Sequence, residues 1–196
     1  HYKNERVITS ERDDMKGAYL GPKFNNFEIE KELKECGAIF KRYNDSELIE
    51  EVANALANEN AVGWMQGRME FGPRALGARS ILADPRSSNM QKQLNLKVKY
   101  RESFRPFAPS VLFEEVSNWF EHDTESPYMM FVADVKESIR REMTTKEKAL
   151  FGIEKLNIVR SSIPAVTHVN YSARIQTIHT DTNPLYHAVV SKFKEK

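Results

Sequence analysis

Thiol chemistry is almost absent from this chain. A single cysteine, Cys36, leaves no partner for an intrachain disulfide, so no covalent staple organises the fold. Such a residue reads as a small, buried or half-buried side chain in a reducing compartment. No apolar run reaches the roughly 20 residues that a membrane helix needs, and no secretory leader is legible, so a cytoplasmic protein is expected. Charge of one sign is lacking too. The 29 Lys and Arg against 28 Asp and Glu leave a formal net charge of +1, and no bulk field draws the molecule to nucleic acid or membrane. Glycine and proline number eight each, too few for a low-complexity or collagen-like chain. What remains is an ordinary globular composition, 40% hydrophobic and 29% charged over 196 residues. A chain of that length buries roughly 70% of its unfolded surface and needs neither disulfide nor metal to fold.

Strand-like and helix-like patterns alternate along the sequence, which predicts an α/β class. "NNFEIEKELKECG" reads as a helix closed by Gly37. "AIFKRY" reads as a strand. "SELIEEVANALANEN" reads as a helix behind an Asp45 or Ser46 cap. "AVGWMQG" and "SILADPR" read as strands, "SNMQKQLNLKV" as a short helix, and "PSVLFEEVSNWFE" as strand then helix. "YMMFVADV" reads as a buried strand, and residues 136–162 as a charged helix with a mobile loop. "AVTHVN" and "ARIQTI" read as two strands. The closing helix takes Asn183 as its cap and Pro184 in its first turn. Residues 1–22 lack periodicity and read as a lead-in linker to a domain over 23–196. The sequence opens on His1 and closes on a helix without a terminal glycine, so both ends read as cuts in a longer protein.

The charge is unevenly placed. From Arg68 to Arg105 stand nine basic residues against Glu70, Asp84 and Glu102, a local +6; with a total of +1 the remainder carries −5. A solvated basic face is the plain alternative, but "EFGPRALGARS" argues against it. Arg74 and Arg79 are five apart, on different faces of a helix or a strand, so only a bent path brings them together. Gly77 permits the bend and Pro73 suits a first helical turn. The segment therefore predicts strand, tight turn, one helical turn and strand, with free N–H groups as an anion attractant. In "KVKYRESFRPFAPS", Lys97, Lys99 and Arg101 alternate and would align on one side of an extended path, and Lys99 and Arg105 share a side. No GxxxxGK[ST] or GxGxxG occurs. Residue types alone predict a phosphate or carboxylate site.

"GWMQGRMEFGPRALGARSILADPR", followed by "LNLKVKYRESFRPFAPS", closely resembles the C-terminal domain of the O-carbamoyltransferases, the family of nodulation protein NodU and the antibiotic carbamoyltransferases. "GAYLGP" and "VTHVNYSARIQTI" resemble two further blocks of that domain. The resemblance implies a YrdC-like fold, a twisted mixed sheet packed with helices. It also implies that this domain binds carbamoyl phosphate and ATP, with Mg²⁺ accompanying the nucleotide, and forms carbamoyl-adenylate. A separate N-terminal domain of the actin-like ATPase superfamily would hold a metal and pass the carbamoyl group to a hydroxyl. That domain and the family's "NTSFN" element lie outside this sequence, so weak or no complete transfer is expected of this chain alone. By motif position the resemblance assigns Arg74, Lys99 and Arg105 to the reactants, and Arg79, Ser80, Thr167 and Arg174 to the nucleotide. One departure stands out. Asn170-Tyr171-Ser172 replaces the family's Asp-Gly-Thr, which implies a reshaped loop or a dispensable acid.

Other residues leave alternatives open. Glu70 orients Arg74 or Arg68, or caps the following turn. Ser80 is a phosphate donor or a strand residue. His168 approaches the nucleotide or is structural. Trp64, Trp119, Phe71, Phe104 and Phe107 read as core rather than base platforms. The histidines carry no metal signature, and no Ser-His-Asp or Cys-His pattern is legible. The rival to a transferase domain is an RNA-binding module using residues 68–105, which the near-neutral total charge disfavours; a docking domain without chemistry is a third reading.

Overall fold

The computed structural model describes residues 15–196; most of the lead-in segment lies outside them. In chain order the elements are α1 (Asn26–Glu35), α2 (Asp45–Ala57), β1 (Val62–Met65), β2 (Arg79–Leu82), α3 (Met90–Lys97), β3 (Ser110–Leu112), α4 (Val116–Trp119), β4 (Phe131–Asp134), α5 (Thr145–Lys148), α6 (Gly152–Leu156), β5 (Ser172–Ile178) and α7 (Pro184–Lys194). Strands β1 and β2 form an antiparallel pair. A second sheet has the order β3-β5-β4, with β3 parallel and β4 antiparallel to β5. Helices with mixed and antiparallel sheets make this an α/β fold, as the alternating pattern predicts. Among the described residues no helix is long and apolar enough to cross a membrane.

Strand β5 is central because its side chains serve two layers. Ala173 and Ile175 point into a core cluster with Val111, Val116, Phe120, Ala133, Val135, Ile163 and Val166. Ile178, on the opposite face, joins Val52, Leu56, Trp64, Leu82, Tyr186 and Val189, where α2 packs on α7. Helix α2 starts from an Asn44–Glu47 capping box, one residue ahead of the expected Asp45 or Ser46. Asn44 wins because its Oδ1 takes the Glu47 N–H while Glu47 reaches back to the Asn44 N–H. Helix α7 has the expected Asn183 cap and Pro184 start.

Several local expectations fail. Cys36, at the end of α1, is exposed rather than buried or half-buried. "AIFKRY" forms no strand: Ile39 is fully exposed and no neighbouring strand pairs with it, and a lone extended segment gains no ladder. "AVTHVN" is a 3-10 turn at Pro164–Val166 followed by a reverse turn closed by the His168 N–H on the Ser172 carbonyl, 2.8 Å. Pro164 removes a ladder donor there. Strand β4 is an edge strand in which only Ala133 is buried, with Phe131 and Val132 exposed. The described part of the lead-in segment, residues 15–22, is bonded to the turn that follows β1. The Gly21 N–H donates to the Met69 carbonyl and the Phe71 N–H to the Ala18 carbonyl, at 2.9 and 2.7 Å.

The Asn170-Tyr171-Ser172 turn shows what replaces the family's glycine. Tyr171 has φ +62°, a left-handed conformation that costs a non-glycine residue about 1 kcal/mol. Its ring lies 5.3 Å from the Arg140 guanidinium and its hydroxyl donates to the Arg141 carbonyl at 3.3 Å. The side chain therefore ties the 136–162 segment to the start of β5. Tyr171→Gly and Tyr171→Ala both lose that tie, but only glycine relaxes the backbone. Urea unfolding is expected to find the alanine variant less stable than the glycine variant by about 1 kcal/mol.

Candidate functional site

The turn from Glu70 to Ser80 is built by hydrogen bonds rather than by helix. The expected helical turn after Pro73 is absent; residues 71–78 run through bends, with Gly72 at φ +133° and Gly77 at φ +96°. The reason is Glu70. Its buried Oε1 accepts the N–H groups of Leu76 and Ala78 at 2.7 Å and of Arg79 at 3.2 Å. Those donors are consumed, and the carboxylate caps the turn instead of orienting Arg74 or Arg68. Burial pushes the Glu70 carboxyl upward, but the N–H groups of Ala78, Leu76, Glu70 itself and Arg79 outweigh it and hold the group below its ordinary value. The Gly77 N–H goes to Ser80 Oγ at 2.9 Å.

The carbonyls of the turn are equally engaged. Leu76 C=O accepts from Tyr19 Oη at 2.7 Å and from Gln176 Nε2 at 2.8 Å. Gly77 C=O accepts from Trp64 Nε1 and Gln66 Nε2, each at 3.0 Å. Asn183, the α7 cap, donates to Tyr19 Oη at 2.9 Å and accepts from Gln66 Nε2 at 2.5 Å. Tyr186 lies directly under Gly77: a Cβ there would stand 2.4 Å from the ring. Burial pushes the Tyr186 hydroxyl up to about 12, against a lowering hydrogen bond from Ser110.

This turn forms one wall of a cleft of about 370 Å³. Arg74 and Ser80 reach it from the turn, Lys99 and Arg101 from the α3–β3 loop, and Arg174 and Gln176 from β5. Arg174 and Gln176 alternate with the core-facing Ala173 and Ile175, as a strand requires. Arg74 and Arg174, a hundred positions apart, are close enough to repel. Burial first and Arg74 second push the Arg174 guanidinium below its ordinary value. Among the described residues the one acid lining the cleft, Asp84, is clamped by Arg86, whose Nε and Nη2 reach both carboxylate oxygens at 2.7–3.0 Å. None of the ion pairs among the described residues involves Arg74, Lys99, Arg101 or Arg174. Four cationic side chains thus line one hollow without a neutralising carboxylate.

Of the residues singled out in the sequence, Arg74, Ser80, Lys99 and Arg174 meet in the cleft. Arg79 points away, giving Nη1 to the Gln66 and Ala78 carbonyls at 2.7 and 2.9 Å and Nη2 to Gly67 at 3.3 Å. Thr167 is buried, its Oγ1 donating to the Ile163 carbonyl at 2.9 Å beside Ser161 Oγ. Arg105 is exposed and paired with Glu102 at 2.8 Å. Arg101, which the resemblance does not assign but which belongs to the basic run of Lys97 and Lys99, also lines the cleft, whereas Lys97 ends α3 outside it and the path between them is not extended. Phe107 lines the cleft, Trp64 is core, and Phe71 is 70% exposed rather than buried. His168 sits at the end of β5, with Nδ1 3.0 Å from Ser172 Oγ, and burial and Arg174 hold it below its ordinary value. Among the described residues no group of three or more His, Cys, Asp or Glu is placed to hold a metal ion. The donor set suits phosphoryl oxygens rather than a bare cation.

Residues 53–196 match the family described as Carbamoyltransferase C-terminus. Across 99% of its length the chain is 56% identical to an uncharacterized protein of Synechocystis sp., and across 94% it is 38% identical to nodulation protein NolO of Bradyrhizobium diazoefficiens. It is 38% identical over 74% of its length to the 3'-hydroxymethylcephem-O-carbamoyltransferase of Amycolatopsis lactamdurans. The chain spans 32%, 31% and 23% of those proteins' lengths.

Two variants test the turn. Because the Glu70 carboxyl is depressed on folding, its contribution is complete above the ordinary value of 4.5 and fades as pH falls through the folded value. The stability gap between wild type and Glu70→Gln should be constant from about pH 6 upward and shrink below pH 4.5. Gly77→Ala meets both a left-handed φ and the Tyr186 ring, and should lower the unfolding free energy by about 2–4 kcal/mol in a denaturant titration.

Proposed function

The chain belongs to the carbamoyltransferase C-terminus family, and from that premise we propose that its cleft binds carbamoyl phosphate and ATP and forms carbamoyl-adenylate for transfer to a hydroxyl acceptor. The observation that carries this reading is the meeting of Arg74, Lys99, Arg101 and Arg174 around one hollow where the acid among the described lining residues, Asp84, is already clamped. Both reactants are polyanions. Adenylation builds further negative charge on phosphoryl oxygens, and fixed cations in a partly desolvated cleft stabilise it. A volume of about 370 Å³ suits a small-molecule ligand. Mg²⁺ would travel with the nucleotide, held mainly by phosphates and water.

The finer fold assignment, YrdC-like, belongs to the same proposal, as does the partner. An N-terminal domain of the actin-like superfamily would carry the metal and the acceptor, in keeping with relatives three or more times as long as this chain. Arg105 enters through the resemblance. It shares the loop of Lys99 and Arg101, and it reaches the ligand only if its pair with Glu102 opens. Arg79 and Thr167 serve this reading as supports, since their polar atoms are bonded within the fold.

Calorimetry with carbamoyl phosphate and with ATP is the test. Arg74→Ala should weaken carbamoyl phosphate binding by about tenfold, close to 1.4 kcal/mol, without lowering the melting temperature. Undiminished binding by that folded variant would remove the assignment. A steep log–log fall of affinity with salt, together with tight RNA binding, would favour the nucleic-acid reading instead.

A further inference from the structure

Arg101 differs from the other cations of the cleft in being fixed in place by the protein. Its Nε–H donates to Asn95 Oδ1 at 2.5 Å, and its backbone N–H donates to the Asn95 carbonyl at 3.0 Å. Its guanidinium carbon lies 4.9 Å from the centre of the Phe107 ring, itself part of the cleft wall. Asn95 is 0% exposed. Its Nδ2 donates to the Ser103 and Arg105 carbonyls at 3.1 and 2.8 Å. A carbonyl only accepts, so the amide cannot be flipped: Nδ2 must face the loop and Oδ1 must face Arg101. One buried asparagine therefore closes the loop and aims a guanidinium. It does so as a neutral acceptor, and a carboxylate in its place would cancel the charge that it orients.

Arginine carries five N–H donors in a planar fork. One is used by Asn95, and among the described residues no hydrogen bond takes the four on Nη1 and Nη2. Arg74 and Lys99, by contrast, are exposed side chains that must lose rotamer freedom to grip a ligand. We propose that Arg101 is the preorganised docking residue of the cleft, taking two oxygens of one phosphoryl group on its paired Nη edge, and that Asn95 is its positioning residue. This inference rests on the reading of the cleft as a phosphate site and deepens it. The ligand class is a phosphoryl dianion or a pyrophosphate-like group, and a lysine cannot substitute for the fork.

The experiment compares wild type and Arg101→Lys for carbamoyl phosphate and for inorganic pyrophosphate by calorimetry, with thermal melting as the fold control. The lysine variant keeps the charge but loses the fork and the Asn95 bond, so both affinities should fall by about tenfold or more. Affinities within about twofold of wild type would overturn the proposal. Asn95→Ala should weaken binding in the wild-type background and add almost nothing in the Arg101→Lys background, because it acts through that guanidinium; full additivity would remove its positioning role. If Arg101→Lys does not fold, the ¹⁵N-labelled Nη–H signals of Arg101 in wild type decide the matter. They should shift and sharpen with pyrophosphate, and no change overturns the docking role. Wild type that binds pyrophosphate but not carbamoyl phosphate would keep the docking residue and discard the carbamoyl reading. Wild type that binds neither discards both.

Discussion

One carboxylate oxygen organises the cleft. Glu70 Oε1 collects three backbone N–H groups from a segment that would otherwise have begun a helix. A buried polar backbone without partners costs about 1–3 kcal/mol per group, so the choice between a helical turn and this irregular loop is decided by where its donors end. With Leu76, Ala78 and Arg79 satisfied from inside, the loop leans on Tyr19, Gln176, Trp64 and Gln66 for its carbonyls. Arg74, at the crest, is left without a structural duty. Its neighbour Arg79 has the opposite fate: both of its Nη atoms are bonded to carbonyls of the fold.

The division between those two arginines marks the limit of what sequence can convey. "FGPRALGARS" announces a bend with cations in it, and the bend and its glycine are legible. Which arginine faces the cleft is not, because that depends on Gln66, Gly67 and Glu70, whose spacing reveals nothing about direction. The same holds for Lys99, Arg101 and Arg105. The first two do line the cleft, but not by alternation along an extended path: Val98 is helical and Tyr100 left-handed. The third sits at the far end of the span that Asn95 closes: its carbonyl takes an Asn95 N–H while a short ion pair with Glu102 draws its side chain outward.

The failures in the fold have equally local causes. "AIFKRY" has strand-forming residues but no neighbour to pair with, and propensity alone does not make a ladder. "AVTHVN" is rich in β-branched residues, yet Pro164 and the Thr167 bond to Ile163 turn the chain back. Elements with strong punctuation were readable: α7 from Asn183-Pro184, and α1 from Asn25 through Gly37. Asn183 is legible as a helix cap, but its bond to Tyr19 and the Tyr19 bond to Leu76 are not, since they cross 164 and 57 positions of sequence.

Strand β5 makes the cleft and the core answer to the same parity. Odd-numbered Ala173 and Ile175 fill one layer, while even-numbered Arg174 and Gln176 face the ligand side. Inserting or deleting one residue between Ser172 and Ile178 would exchange the two sets, sending a guanidinium into hydrocarbon and an isoleucine into the charged hollow. Length variation in this lineage should accordingly gather in the 136–162 segment and stay out of those seven positions.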